Sequence, residues 1–248
     1  MTKSEFAALH TGSAPLVLFN IWDAGSARAV AKAGAKAVAT GSLSLTGAQG
    51  VDDGEALPIA DLLKTVRQIA AATALPLTVD FETGYASSLV ELAANAKALR
   101  DAGAIGCNLE DRVIGSSSLR DPQEQAERIA ALDHAGLFVN ARTDIFLGPL
   151  MAGENPNSSD LVEAAIVRAE IYQKAGAGCF FIPGLSDPEL IRRVCQAIAM
   201  PVNVMRLPGM LGNRELHELG VARISHGPAP WRDAMAALEE AAREAFDD

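Results

Sequence analysis

Residues 75–111 read LPLTVDFETGYASSLVELAANAKALRDAGAIGCNLED. Leu75–Asp80 is an apolar, partly β-branched run that ends on an acid. Leu89–Ala102 carries apolar residues at helical spacing and predicts a helix. Gly103 stands where that helix must stop, a place suited to a left-handed C-cap. A second apolar run, Ala104–Leu109, follows and again leads into acids, Glu110 and Asp111. A strand, a helix and a strand joined so tightly predict parallel pairing through a right-handed crossover.

The same unit recurs on both sides. Further strands are predicted at Leu16–Asn20, Ala35–Thr40, Leu137–Ala141, Ala177–Ile182, Pro201–Val204 and Ala222–Ser225. Helices are predicted at Gly25–Ala33, Ile59–Ala72, Gln123–Ala135, Asp160–Ala175, Pro188–Ala199, Arg214–Leu219 and Pro230–Ala245. Ala33-Gly34-Ala35, Ala135-Gly136-Leu137 and Ala175-Gly176-Ala177 repeat the punctuation around Gly103. Eight evenly spaced units predict an α/β fold, a (β/α)8 TIM barrel, forming a single domain over residues 1–248. An open doubly wound sheet is the alternative, but no Gly-x-Gly-x-x-Gly follows the first strand. Gly41–Pro58 is expected to be one long irregular loop of the functional kind, and Gly148–Ser159 a mobile one.

Composition narrows the function. Of 248 residues, 21 are Lys or Arg and 31 are Asp or Glu, a formal net charge of −10. That balance argues against nucleic acid as a partner, which needs a cationic face. No apolar run approaches the roughly 20 residues of a membrane span, so no membrane partner is expected. Met1–Glu5 lacks the apolar core of a signal peptide. Cys107, Cys179 and Cys195 are odd in number and far apart, which fits a reducing, cytoplasmic setting rather than a disulfide framework.

A barrel of this kind works at the C-terminal ends of its strands. The residues predicted there are Asn20 and Trp22, Thr40 to Leu43, Asp80, Glu82 and Tyr85, Glu110, Arg142, Asn203 and His226. Asp80 and Glu82 are two apart and can share one side of an extended segment. Several acids aimed at one point repel unless a cation lies between them. Oxygen ligands suit a hard ion, Mg²⁺ with Mn²⁺ tolerated, and the scattered histidines disfavour zinc. Arg142 suits a bidentate clamp on a substrate carboxylate. Each feature also has a bland reading: Arg142 paired with Asp144 or Glu110, Glu110–Arg112 as a solvated loop, Cys107 as a buried apolar residue.

Phe19–Arg28, Val79–Tyr85, Asn108–Asp111 and Asn140–Asp144 together resemble the isocitrate lyase/phosphoenolpyruvate mutase superfamily. The resemblance runs in order from Phe19 to the last helix. It implies a (β/α)8 barrel assembled as a homotetramer, a dimer of dimers, with the last helix swapped onto the neighbouring subunit. It implies Mg²⁺ bound directly by Asp80 and through waters by Asp53, Glu82 and Glu110. Arg142 matches the substrate-binding arginine, and Thr40, Gly41, Ser42 and Leu43 match the segment that receives the substrate carboxylate. The implied partner is a small 2-oxo or 2-hydroxy carboxylate. The implied activity is a Mg²⁺-dependent lyase that cleaves a C–C bond, by retro-Claisen or retro-aldol reaction or decarboxylation, through a metal-stabilised enolate.

The departures are specific. Isocitrate and methylisocitrate lyases carry Lys-Lys-Cys-Gly-His after the strand 4 acid, and mutases carry Pro-Lys-x-Asn-Ser. Here the stretch is Arg112-Val113-Ile114-Gly115-Ser116-Ser117-Ser118-Leu119-Arg120. It has no Cys, Lys or His. Tyr85, Glu110, His226 and a metal-bound water are therefore the open candidates for proton transfer. Phosphonate chemistry and a non-catalytic oxo-acid-binding barrel remain as rival readings.

Overall fold

A computed structural model describes residues 1–247. The strands are β1 (Leu16–Leu18), β2 (Val38–Ala39), β3 (Leu77–Asp80), β4 (Gly106–Glu110), β5 (Phe138–Arg142), β6 (Cys179–Phe181), β7 (Val202–Met205) and β8 (Val221–Ser225). The helices are α1 (Lys3–Ala8), α2 (Ala24–Lys32), α3 (Ser42–Ala48), α4 (Ile59–Ala72), α5 (Leu89–Asp101), α6 (Pro122–His134), α7 (Leu147–Met151), α8 (Ser159–Lys174), α9 (Pro188–Ala197), α10 (Asn213–Glu218) and α11 (Ala229–Asp247).

All strands pair in parallel in the order β1-β8-β7-β6-β5-β4-β3-β2. The last gap is bridged where Ile21 N–H donates to the Ala39 carbonyl at 2.8 Å, and Ile21 bridges Thr40 in parallel register. The architecture is therefore a (β/α)8 barrel, and the open-sheet alternative is excluded. Every predicted strand is present, with ends shifted by at most three residues. The trimming follows hydrogen bonding: Ala35, Lys36 and Ala37 feed β2 but leave only Val38 and Ala39 on the ladder.

Gly103 shows why the punctuation works. Its φ is 112°, and a Cβ there would lie 2.6 Å from the Ala70 Cβ. The chain can turn back under α5 only because no side chain is present. Outside the sheet, Leu62, Val66 and Ile69 of α4 bury one helical stripe, and Leu92, Ala96 and Leu99 of α5 another. Such stripes hold the helix ring against the strands.

Three helices were absent from the sequence reading. α3 occupies the first part of the stretch expected to be irregular, and α7 begins the second such stretch. Both are short and lie between strand end and crossover helix, where apolar periodicity is too brief to register. α1 packs under the N-terminal mouth. Phe6 stands edge-on to Phe138 at 5.2 Å, and His10 stacks on Phe138 at 4.7 Å. The C-terminal ends of the strands form the opposite mouth. α11 leaves the barrel with Leu238 and Phe246 largely exposed, 63% and 85%. Among the described residues, no helix is long and apolar enough to cross a membrane.

Candidate active site

A cavity of about 340 Å³ opens at the C-terminal mouth. Ser42 reaches it from the end of β2, and Asp53 and Gly54 from the loop after α3. Glu82 follows β3, Glu110 ends β4, and Arg142 ends β5. Arg112, Ile114 and Gly115 form the outer rim. Asp80 adjoins this set, its Oδ2 accepting the Ser42 N–H at 3.2 Å. Thr40, buried below, accepts the Asp80 N–H on its hydroxyl at 2.9 Å. The predicted acids and Arg142 are thus brought together by four neighbouring strand ends.

Their electrostatics follow from that crowding. Burial first, then Asp80 and Asp53, push the Glu82 carboxyl up to about 7, although Tyr85 and the Glu55 N–H stabilise its anion. Glu110 is raised by burial and by Asp144, Asp80 and Glu82, against the pull of Arg142. Asp53 is raised by desolvation and then by Asp80. Arg142 is correspondingly held firmly charged: its burial is outweighed by Glu110 and Asp144. Its Nε and Nη2 donate to Asp144 at 2.6 and 2.9 Å, and Nη1 meets Glu110 Oε2 at 2.9 Å. Asp144 thus takes two of its five N–H bonds, and Glu110 is held as an ion pair.

Two loops are locked together at the rim. Glu55 Oε1 accepts from Thr83 N, Thr83 Oγ1 and Tyr85 N at 3.0, 2.8 and 2.8 Å. Glu82 returns the link, accepting from Glu55 N at 2.7 Å. Glu55, Glu82 and Tyr85 all have left-handed φ, 61°, 48° and 54°. Non-glycine residues hold that conformation only where surroundings impose it, and such places concentrate at working sites. The Tyr85 hydroxyl donates to Glu82 Oε1 at 2.8 Å. Burial and the neighbouring acids raise it well above the usual phenol range.

Behind Arg142 is a support that sequence reading missed. Asp111 is fully buried and accepts from Asp144 N at 3.0 Å, from Tyr172 at 2.9 Å and from Arg168 at 3.2 Å. Arg128 of α6 donates to the Thr83 and Ala86 carbonyls at 2.6 and 3.1 Å. Arg128, Arg168 and Tyr172 sit on helices among ordinary surface charges, so their spacing carries no signal.

Other predicted residues lie apart. Asn203 is fully buried and hydrogen-bonded to Ser225 at 3.1 Å. His226 packs on Phe19 at 5.0 Å, with burial lowering its pKa. Its N–H and that of Gly227 donate to Asn20 Oδ1 at 3.0 and 2.9 Å, which ties β8 to the barrel seam. Trp22, Leu43, Asn203 and His226 do not line the cavity. Cys107 is fully buried, away from the cavity lining, and burial raises its thiol, in keeping with its reading as a buried apolar residue.

The donor set can be tested against a divalent ion. Among the described residues, no three acids, histidines or cysteines converge closely enough to grip an ion directly. One direct carboxylate with further acids acting through waters fits that spacing, and it is the way Mg²⁺ is usually held. The mutual elevation of Glu82, Glu110 and Asp53 is what a cation would relieve. The residues therefore fit a hydrated hard cation beside Asp80.

Comparison with known proteins places this geometry. The family model described as phosphoenolpyruvate phosphomutase matches residues 6–246. An uncharacterised Mycobacterium tuberculosis protein is 33% identical, covering 98% of this chain and 89% of its own. The 2-methylisocitrate lyase of Escherichia coli is 28% identical over 79% of this chain and 67% of its own. An oxaloacetate decarboxylase of Rhodopseudomonas palustris is 28% identical over 95% of this chain and 82% of its own. The crystal structure of a candidate phosphonomutase from Burkholderia cenocepacia superposes with TM-score 0.91 at 45% identity, covering 98% of this chain and 99% of that one. A phosphonopyruvate hydrolase solved with oxalate and Mg²⁺ shares the fold, with TM-score 0.85 at 22% identity over 100% of this chain and 88% of that one. The chain belongs to the phosphoenolpyruvate mutase family, within the isocitrate lyase/phosphoenolpyruvate mutase superfamily.

Proposed function

We propose that this protein is a Mg²⁺-dependent lyase that cleaves a C–C bond in a small 2-oxo or 2-hydroxy carboxylate. The observation that carries this is the convergence of Asp53, Glu82, Glu110 and Arg142 on one cavity beside Asp80. Asp80 would hold the ion directly, and Asp53, Glu82 and Glu110 through its waters. When bound, Mg²⁺ would polarise the substrate oxygens and lower the cost of enolate charge. The N–H bonds of Arg142 that Asp144 leaves free would orient a carboxylate and add positive charge. Glu110 borders this space, and Tyr85 touches it through Glu82. Tyr85 donates to Glu82 and holds that carboxyl in place beside the cavity. The rim lacks a cysteine, so the chain offers no thiol to protonate a leaving carbanion. Decarboxylation needs no such group, which favours a β-oxo acid. The oxaloacetate decarboxylase relative and the oxalate-holding hydrolase of like fold support that class.

Phosphorus–carbon chemistry is a second reading. It is favoured by the 45% identity to a candidate phosphonomutase. The protein is also proposed to assemble with its own copies through α11, whose Met235, Leu238 and Phe246 leave apolar surface in solvent. Its three free cysteines fit a reducing cytoplasm.

The deciding experiment incubates metal-stripped protein with oxaloacetate, substituted malates, isocitrate, methylisocitrate and phosphonopyruvate, with and without Mg²⁺. Mg²⁺-dependent release of an oxo acid from a carbon substrate is expected. Turnover of phosphonopyruvate alone would install the second reading. Tight oxalate binding with no turnover would leave a binding protein.

A further inference from the structure

Beneath the cavity lies a polar layer that plays no part in lining it. Asp80, Asn108 and Asn140 are direct register neighbours on β3, β4 and β5. Arg223 of β8 reaches the same layer and is 1% exposed. Asn140 Nδ2 donates to Asn108 Oδ1 at 2.7 Å, and Arg223 Nη2 donates to the same oxygen at 3.2 Å. The Asn108 amide group then faces Asp80 Oδ1 at 3.4 Å. It has no freedom to turn over: a flipped amide would set its own N–H bonds against two donors, one of them a cation. Asp80 is thus held from two sides, by Ser42 N–H on one oxygen and by Asn108 on the other.

Arg223 is an unfavourable choice for packing alone. Among the described residues it makes no salt bridge, and its Nε and Nη1 meet no protein acceptor. A buried cation without a partner costs stability, and an apolar side chain of similar volume would not. Its one protein hydrogen bond goes to the oxygen that decides which way Asn108 faces.

We propose that Asn108 is a positioning residue for Asp80, and that Arg223 and Asn140 fix its amide so that it donates to that carboxylate. The inference rests on the reading of Asp80 as the direct ligand of a divalent ion. Partners that orient a metal ligand are typically worth about 10–100-fold in metal affinity. The positive charge of Arg223, taken alone, repels a cation, so charge and orientation act with opposite signs. Asn108→Leu removes the orienting donor and leaves the charge in place.

The test is direct Mn²⁺ binding to metal-stripped protein, read from the paramagnetic resonance of the free ion, with melting temperature recorded in parallel. Wild type is expected to bind Mn²⁺, Asp80→Ala to lose it, and folded Asn108→Leu to bind about 10–100-fold more weakly. A purely structural role would lower the melting temperature and leave Mn²⁺ affinity unchanged; that result would overturn the inference alone. If Asn108→Leu does not fold, Asn140→Ser takes its place. It frees one side of the amide and should weaken Mn²⁺ severalfold, and unchanged affinity there overturns the inference equally. Absence of Asp80-dependent Mn²⁺ binding in wild type would overturn the function proposed above and this inference with it.

Discussion

In the proposed reaction Asp80 and Arg142 act with opposite charge, and their surroundings say what each substitution costs. Asp80→Ala should abolish metal-dependent turnover while the barrel still folds, because that side chain accepts only a backbone N–H and a stretched amide contact. Cys107→Ser should leave turnover near wild type, since Cys107 is walled off from the cavity. Steady-state assays of both variants over a Mg²⁺ titration check this; full activity in Asp80→Ala would refute the proposed site. Arg142→Lys keeps a charge but loses the planar fork that meets Asp144 and Glu110 together. Losing a charged hydrogen bond worth about 2–3 kcal/mol should lower kcat/KM on the order of 100-fold. An unchanged kcat/KM would mean that Arg142 serves only to neutralise its two acids.

At the scale of elements, the site depends on loops pinned by side chains far from the cavity. The segments around Glu55 and Thr83–Tyr85 exist in left-handed conformations because one carboxylate collects three donors. Glu55→Ala should cost about 1–3 kcal/mol from the donors left behind. For a chain of this size, that lowers the melting temperature by roughly 2–12 °C. Calorimetry measures it, and the same variant should need more Mg²⁺ for half-maximal rate, because the Glu55 backbone N–H that Glu82 accepts is no longer anchored by the side-chain contacts to Thr83 and Tyr85. Unchanged stability would show the two loops to be independent. In the sequence Glu55 is one more acid of the Gly41–Pro58 loop. Its neighbours along the chain hold no hint that its partners are 28 and 30 residues away. Asp111, Arg168 and Tyr172 were illegible for the same reason, since their contacts span 57 and 61 positions.

For the whole molecule, the closed N-terminal end adds a pH response. His10 is buried against Phe6 and Phe138, and burial, then Arg223, lowers its pKa to about 4. The unfolded chain takes up that proton near pH 6.5, before the folded one does. This contribution to stability is therefore intact above pH 6.5 and is lost as pH falls from 6.5 towards 4, by about 3 kcal/mol in total. His10→Phe should flatten that part of the profile. Urea unfolding of both proteins at pH 7 and pH 4.5 measures it, and parallel profiles would contradict the assignment. At the opposite extreme of the chain, deleting residues 234–248 should leave the barrel folded and reduce the assembled mass in light scattering, since α11 buries little of itself against the barrel.

Eight strand–helix units, their parallel order and the acids at strands 3 and 4 were legible in sequence because they rest on local chemistry. Apolar periodicity, glycine at several of the returns and carboxylates at the ends of strands 3 and 4 are properties of neighbouring residues. The barrel then places successive strand ends side by side by construction, so Asp80, Glu82, Glu110 and Arg142 meet at one mouth. The tertiary structure alone decided what each of them touches. It engaged Arg142 with Glu110 and Asp144, set Tyr85 on Glu82, took Asn203 and His226 away from the cavity, and buried Arg223 beneath Asp80. Those outcomes depend on charges and hydrogen-bond donors contributed by distant strands and helices. Burial then multiplies the strength of each pairing, and a linear pattern cannot express it.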